Sequence, residues 1–281
     1  MDFLSNENIQ ISKIIEQALL EDLGSGDITT DSIVSPSQLG HGTIKAGENG
    51  IAAGLPIASL VFKKINSSID FQAKVEEGQS VLAKETLATI KGPAHAILKG
   101  ERIALNFLQR MSGIATMTSK YCQAVRAYPV RIVDTRKTTP GLRILEKYAV
   151  RIGGASNHRF GLYDAILIKD NHITLAGGIK AAIRLAKKNS SHTVKIEIEV
   201  ENISQLKDAL EEGVDIIMLD NMDTATMKEA VKICNGQALL EASGGITFDK
   251  LKSIAQTGID LISVGALTHS VRSLDISMEI I

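Results

Sequence analysis

The spacing of apolar residues changes character twice along the chain. From residue 7 to residue 22 it is helical, with Ile11, Ile14, Ile15, Ala18 and Leu19 on one face. Leu23-Gly24-Ser25-Gly26-Asp27-Ile28-Thr29-Thr30 breaks that helix with a glycine turn. Short extended runs follow between Gly42 and Gly92, predicting strands at Gly42–Ala46, Gly50–Ala53, Asp70–Val75 and Thr86–Ile90 around a helix over Leu55–Ile65. A long helix is predicted from Lys99 to Arg126. Its apolar stripe is Ala104, Leu108, Met111 and Ala115, and beside it runs a polar stripe of Arg102, Asn106 and Gln109.

After Pro129 strand-like and helix-like segments alternate to the end of the chain. Strands are expected at Arg131–Asp134, Ala165–Lys169, Val194–Val200, Asp215–Asp220, Ala238–Ser243 and Leu261–Gly265. The helices expected between them are Gly141–Ile152, Leu175–Lys188, Ile203–Glu212, Thr224–Ile233 and Phe248–Gln256, with a short one from Ser270. Six such units with doubly apolar strands, such as Ile216-Ile217-Met218-Leu219, argue for a parallel α/β barrel rather than an open sheet. The chain is therefore expected to divide into a small α/β domain at 1–115 and a barrel domain at 116–281, with the helix 99–126 bridging them.

Composition narrows the function classes. The chain has 281 residues, 44% of them hydrophobic, and no tryptophan, so its core must be mainly aliphatic. A formal net charge of −1 gives no support for broad attraction to nucleic acid or membranes. Met1–Glu7 lacks the basic and apolar regions of a secretory signal, and no run of about 18 apolar residues occurs. Cys122 and Cys234 stand far apart without metal-ligand neighbours and read as buried thiols. A cytoplasmic location is expected.

In an α/β barrel the chemistry gathers at the C-terminal ends of the strands. The first strand runs into Asp134-Thr135-Arg136-Lys137-Thr138-Thr139-Pro140, two adjacent cations where a strand stops and a helix begins. By itself such a pair is an ordinary solvated turn. Further along, Asn157-His158-Arg159 precedes the second strand and Lys169-Asp170-Asn171-His172 ends it. Glu197, Glu199 and Glu201 alternate along one face of the third strand, and Asp220 ends the fourth. Carboxylates facing inward need cations, protons or a metal ion, since an unpaired buried charge costs several kcal/mol. Glu199 with Asp220 is the best placed pair for Mg²⁺, although Glu197 shares the face of Glu199. Ser243-Gly244-Gly245 and Gly265-Ala266 fit a phosphate cradle after the last strands. Together these residues suit a polyanionic, phosphorylated substrate with Mg²⁺.

These motifs resemble the quinolinate phosphoribosyltransferase family over nearly the whole chain. The resemblance rests on Glu21–Asp27, Arg102–Leu108 with Ser112–Thr116, Asp134–Arg143, Asn157–Arg159, Leu167–His172, Glu241–Ile246 and Ser263–Ser270. It implies an N-terminal α/β sandwich and an incomplete C-terminal α/β barrel, usually with seven strands. The implied reaction joins quinolinate to 5-phosphoribosyl-1-pyrophosphate (PRPP), giving nicotinate mononucleotide, pyrophosphate and CO₂ for NAD synthesis. The implied carboxylate receptors are Arg136, Lys137, His158, Arg159 and the Arg102 of a second copy in a homodimer. Lys169, Glu199 and Asp220 are implied to face ribose, pyrophosphate and Mg²⁺, and Ser243, Gly244, Gly265 and His269 the 5-phosphate. Lys137, Lys169, Glu199 and Asp220 are the expected catalytic set. A rival reading makes Lys169 a Schiff-base lysine of an aldolase-like barrel.

Overall fold

The computed structural model describes residues 9–280. The first two residues of the expected 7–22 helix, and the Met1–Glu7 segment, lie outside them. The chain folds into two compact units that interleave in sequence. The first holds the residues up to Ser119, Thr138–Gly154 and those from Leu267 on; the second holds Lys120–Lys137 and Ala155–Ala266.

The N-terminal half begins with helices α1 (Ile9–Leu23) and α2 (Ile28–Ile33), strands β1 (Leu39–Ala46) and β2 (Gly50–Ile51) and helix α3 (Leu55–Ile65). Strands β3 (Asp70–Ala73), β4 (Ser80–Val81) and β5 (Thr86–Pro93) and the long helix α4 (Ala94–Val125) complete it. The sequence-based domain cut at 115 falls inside α4. Asp27, just past the glycine turn, caps α2 by accepting the Thr30 N–H. Helix α3 starts at Gly54 with no side-chain cap of its own. Instead the Glu77 carboxylate accepts the Gly54 and Leu55 N–H groups at 2.7–3.0 Å and the Tyr148 hydroxyl at 3.0 Å. Burial pushes the Glu77 carboxyl up, and these three donors oppose that rise. Glu77→Ala is therefore expected to lower stability by about 1–2 kcal/mol, as loss of a helix cap does, read by urea unfolding of the two proteins.

The second half contains β6 (Arg131–Val133), α5 (Arg143–Ile152), β7 (Ile166–Ile168), α6 (Asp170–Ala176), α7 (Ile179–Asn189), β8 (Ile196–Val200) and α8 (Ile203–Glu212). After these come β9 (Ile216–Asp220), α9 (Thr224–Cys234), β10 (Leu239–Ser243), a 3₁₀ turn at Phe248–Lys250, α10 (Leu251–Ala255), β11 (Leu261–Ser263), α11 (Ala266–His269) and β12 (Ile276–Ile280).

In the first unit an antiparallel sheet runs β12-β1-β5-β3, and β2 pairs with β4. Ile44, Leu87, Ala88 and Ile90 of this sheet are fully buried, as are Ile57, Val61 and Phe62 of α3. In the second unit six parallel strands follow the order β6-β11-β10-β9-β8-β7. Each strand from β7 to β11 lies beside its successor, and β11 lies beside β6, which is barrel order. Between β6 and β7 there is no strand pairing, only a parallel bridge from Val133 to Ser156. Among the described residues the barrel is thus six-stranded and incomplete, and the seventh strand that the resemblance implies is not found.

Three local expectations need correction. The predicted Leu175–Lys188 helix is two helices, α6 and α7, because Gly177 and Gly178 both take positive φ. No helix starts at Ser270; the chain instead forms β12, which pairs antiparallel with β1 from Gly42↔Ile280 to Ala46↔Ile276. Cys122 is half-buried rather than buried, whereas Cys234 is buried.

Candidate active site

Register decides which strand residues share a face. Glu197 stands beside Ile216 and Glu199 beside Met218. Glu241 stands beside Met218 on one side and Leu261 on the other, and Ser243 beside Asp220. Because paired residues of parallel strands point the same way, Glu197, Glu199, Asp220, Glu241 and Ser243 share one face. The opposite face carries Ile196, Ile198, Val200, Ile217, Leu219, Leu240 and Ala242, all buried. Polar groups therefore line one side of the sheet: Glu199, Asp220 and Ser243 are partly exposed toward the C-terminal ends of their strands, whereas Glu197 and Glu241, each two residues earlier on its own strand, are buried.

At the rim the Lys169 ammonium pairs with Glu199 Oε2 at 2.5 Å. His172 Nδ1 accepts the Lys169 backbone N–H at 2.9 Å, which fixes the turn into α6. A lysine that is exposed and already ion-paired lacks the dry, unpaired setting of a Schiff-base nucleophile. Asp220 accepts the Asn221 side-chain amide at 2.6 Å. Asn221 itself has φ +52, and its N–H donates to the Ser243 carbonyl at 3.0 Å. Gly244 takes φ +91 and sits where a Cβ would lie 2.8 Å from the Asn221 nitrogen and against its side-chain oxygen. The turns ending β9 and β10 therefore approach each other through backbone that only a glycine at 244 permits. Gly265 follows β11 in the same unit.

The cations come from two segments of this unit. Arg136 is half-buried and Lys137 exposed, and the Thr135 hydroxyl accepts the Lys137 N–H at 3.0 Å. Arg159 Nη1 donates to the Ala165 carbonyl at 3.2 Å. Burial and the nearby Arg136 charge both lower the Arg159 pKa, against the pull of Glu197 and Asp164. Two guanidinium charges near one another in this unit suit an anionic ligand.

Asp134, fully buried, accepts the His158 N–H at 2.8 Å and the Asn157 amide at 2.7 Å. His158, expected among the carboxylate receptors, has contacts on both of its ring nitrogens. Its Nε2 lies 2.9 Å from Glu197 Oε2, and its Nδ1 accepts the Arg159 N–H at 2.7 Å. Both ring nitrogens are thus engaged inside the barrel. Sequence reading missed Asp134 and Glu241 as interior groups. The available signal was a lone carboxylate at the end of, or within, an apolar run: Ile132-Val133-Asp134 and Leu239-Leu240-Glu241-Ala242.

Two expected residues belong to the first unit. Arg102 is exposed on α4 and forms no ion pair among the described residues. His269 is exposed, with Nδ1 2.6 Å from the Ser270 hydroxyl. In that unit Arg110, not singled out from sequence, donates to Glu146 at 2.8 Å, to Thr139 Oγ1 at 3.4 Å and to the Thr268 carbonyl at 2.7 Å. It pins the residues just beyond Lys137 and just before His269 in the chain.

A cavity also opens at the N-terminal ends of the strands, lined by Lys195, Asp215, Gln237, Leu239 and Asp260. Its charges are used internally: Lys195 pairs with Asp215, and Asp260 accepts the Leu240 N–H. The rim is the better candidate for chemistry.

An incomplete α/β barrel with arginines and a lysine–glutamate pair toward its strand ends defines an anion-handling barrel protein. The chain belongs to the quinolinate phosphoribosyl transferase family: it matches that family's N-terminal domain over residues 27–112 and its C-terminal domain over 114–279. It is 46% identical over 276 residues to a probable nicotinate-nucleotide pyrophosphorylase [carboxylating] of Synechocystis, covering 97% of this chain and 93% of that one. A Bacillus subtilis protein of the same name is 45% identical, over 97% and 94% of the two chains. The crystal structure of NadC from Streptococcus pyogenes superposes with a TM-score of 0.95 at 38% identity, over 99% and 98% of the chains. A human nicotinic acid phosphoribosyltransferase, 12% identical with a TM-score of 0.62, covers 95% of this chain and 73% of its own and shares the fold alone. No described helix is long and apolar enough to cross a membrane.

Proposed function

We infer that this chain transfers the phosphoribosyl group of PRPP to quinolinate with loss of CO₂, yielding nicotinate mononucleotide and pyrophosphate for de novo NAD synthesis. The observation that carries the reading is the Arg136–Arg159 pair. Two neighbouring guanidinium charges suit a ligand with adjacent carboxylates, which quinolinate has and nicotinate lacks. In this reading Arg136, Lys137 and Arg159 receive those carboxylates. Lys169, Glu199 and Asp220 face the ribose and pyrophosphate, and the Ser243, Gly244 and Gly265 turns cradle the 5-phosphate.

The chemistry needs positioning and charge rather than a covalent intermediate. As pyrophosphate leaves, positive charge grows on the ribose C1, and the Glu199 and Asp220 carboxylates stabilise it. The Lys169 ammonium, released from Glu199, is positioned to meet the departing oxygens. The pyridine nitrogen takes the ribosyl carbon and becomes cationic. The C2 carboxylate then leaves as CO₂, its electron pair stays beside N⁺, and a proton completes the product. Glu199 and Asp220 fit Mg²⁺, a hard ion bound by one or two carboxylates together with substrate phosphates. Held there by Glu199 and Asp220, such an ion would supply charge neutralisation for the leaving pyrophosphate.

We further place the protein in a homodimer in which Arg102 of each copy serves the other, a reading supported by its exposure on α4 and its lack of an ion pair among the described residues. The test is a PRPP-dependent assay with quinolinate and nicotinate side by side. Turnover of quinolinate alone is expected, and a preference for nicotinate overturns the assignment.

A further inference from the structure

His158, Glu197 and Glu241 bring an imidazole nitrogen and two carboxylate oxygens within 4.8 Å of one another. Glu197 is 3% exposed and Glu241 0%. Glu197 Oε1 and both Glu241 oxygens have no hydrogen-bond partner among the described residues. Buried carboxylate oxygens left this way are balanced by a metal ion or by protons.

The imidazole chooses between the two. His158 Nδ1 accepts the Arg159 backbone N–H, so the ring proton sits on Nε2 and is donated to Glu197. A metal at Nε2 needs that lone pair free, which moves the proton to Nδ1, where it meets the Arg159 N–H head on. The ring orientation therefore disfavours a metal and leaves protons. Glu197 takes the imidazole proton as a hydrogen bond, and Glu241, with Nε2 3.7 Å away, is the carboxyl left to carry its own. Burial and the neighbouring Glu197 push Glu241 up to about 7, in the same direction.

This cluster acts on the one segment of the barrel that lacks strand pairing. Residues 157–159 lie in the gap between β6 and β7, past the lone bridge at Ser156. Asp134 holds Asn157 and the His158 amide, and the imidazole holds the Arg159 amide. Charged groups from every neighbouring strand face the ring or its arginine: Asp134 after β6, Glu197 on β8, Glu241 on β10, and Arg136 beside Arg159.

We propose that Glu197 and Glu241 are positioning residues that hold His158 neutral with its proton on Nε2 and, through Nδ1, fix the backbone that presents Arg159 to the substrate. The proposal rests on the functional reading above only for the identity of that substrate. The test combines ¹⁵N imidazole spectra of the unliganded protein with separate quinolinate and PRPP kinetics. The wild-type His158 signal is expected in the neutral Nε2–H form at pH 7. Glu241→Ala, which removes the carboxyl, should disturb that signal and raise the quinolinate KM about five-fold, and the conservative Glu241→Gln, which mimics a protonated acid, should restore both. Glu197→Gln replaces the carboxyl that the imidazole Nε2 meets with an amide. It should disturb the tautomer and raise the quinolinate KM about ten-fold, with the PRPP KM unchanged. An imidazolium or Nδ1–H signal in the wild type overturns the proposal, as does an unchanged spectrum and KM in Glu197→Gln. A stoichiometric transition metal in the purified wild type that Glu197→Gln loses also overturns it, in favour of a metal site. Because the wild-type spectrum needs no substrate, it stands even if quinolinate proves not to be turned over.

Discussion

Arg159→Ala and Arg136→Ala are each expected to raise the quinolinate KM by on the order of 10- to 100-fold, without loss of folding stability. A charge-assisted hydrogen bond to a carboxylate contributes about 1.5–3 kcal/mol, which sets that range. The stability half of the expectation is the more discriminating. Arg159 is disfavoured by partial burial and by the charge of Arg136, and Glu197 and Asp164 compensate only in part. Both side chains are only half-buried, so the melting temperature should change little. Steady-state kinetics with each substrate varied in turn, beside a thermal melt, reads both quantities. Unchanged kinetics in both variants would remove these residues from the receptor, and a large drop in melting temperature would make them structural.

Gly244→Ala is expected to be the most damaging small substitution at the rim. The residue sits at φ +91, and an alanine there is strained before any contact is counted. The added methyl also meets the Asn221 backbone nitrogen at 2.8 Å, which a side-chain rotation cannot relieve. Strain of this kind costs about 1–3 kcal/mol. It falls on the turn whose carbonyl partner, Ser243, holds the Asn221 N–H beside Asp220. The expected result is a lower melting temperature together with a raised PRPP KM, the quinolinate KM changing less. A variant that melts and binds PRPP as the wild type does would show that the close approach of the two turns is unimportant.

The barrel was legible because its strands are short apolar runs separated by amphipathic helices, a local signal. What escaped was non-local or hidden at glycine pairs. β12 pairs with β1 across more than two hundred residues, and nothing within Ile276-Ser277-Met278-Glu279-Ile280 announces that partner. The break between α6 and α7 was written in Gly177-Gly178 but was overruled by the helical spacing on either side. At the site, strand ends pointed directly to Lys169, Glu199 and Asp220, since rim position follows from strand position. Depth did not follow. Period two places Glu197 and Glu199 on one face, but only the folded structure shows Glu199 partly exposed and paired with Lys169 while Glu197 is buried against His158. The two glutamates that looked interchangeable in sequence thus have different partners.

The most direct measurement uses quinolinate labelled with ¹³C in its C2 carboxyl group, incubated with PRPP, Mg²⁺ and the purified protein. Equal amounts of ¹³CO₂, pyrophosphate and nicotinate mononucleotide are predicted, with none formed when PRPP is omitted. Pyrophosphate release without ¹³CO₂, or a product that retains the label, would contradict the account.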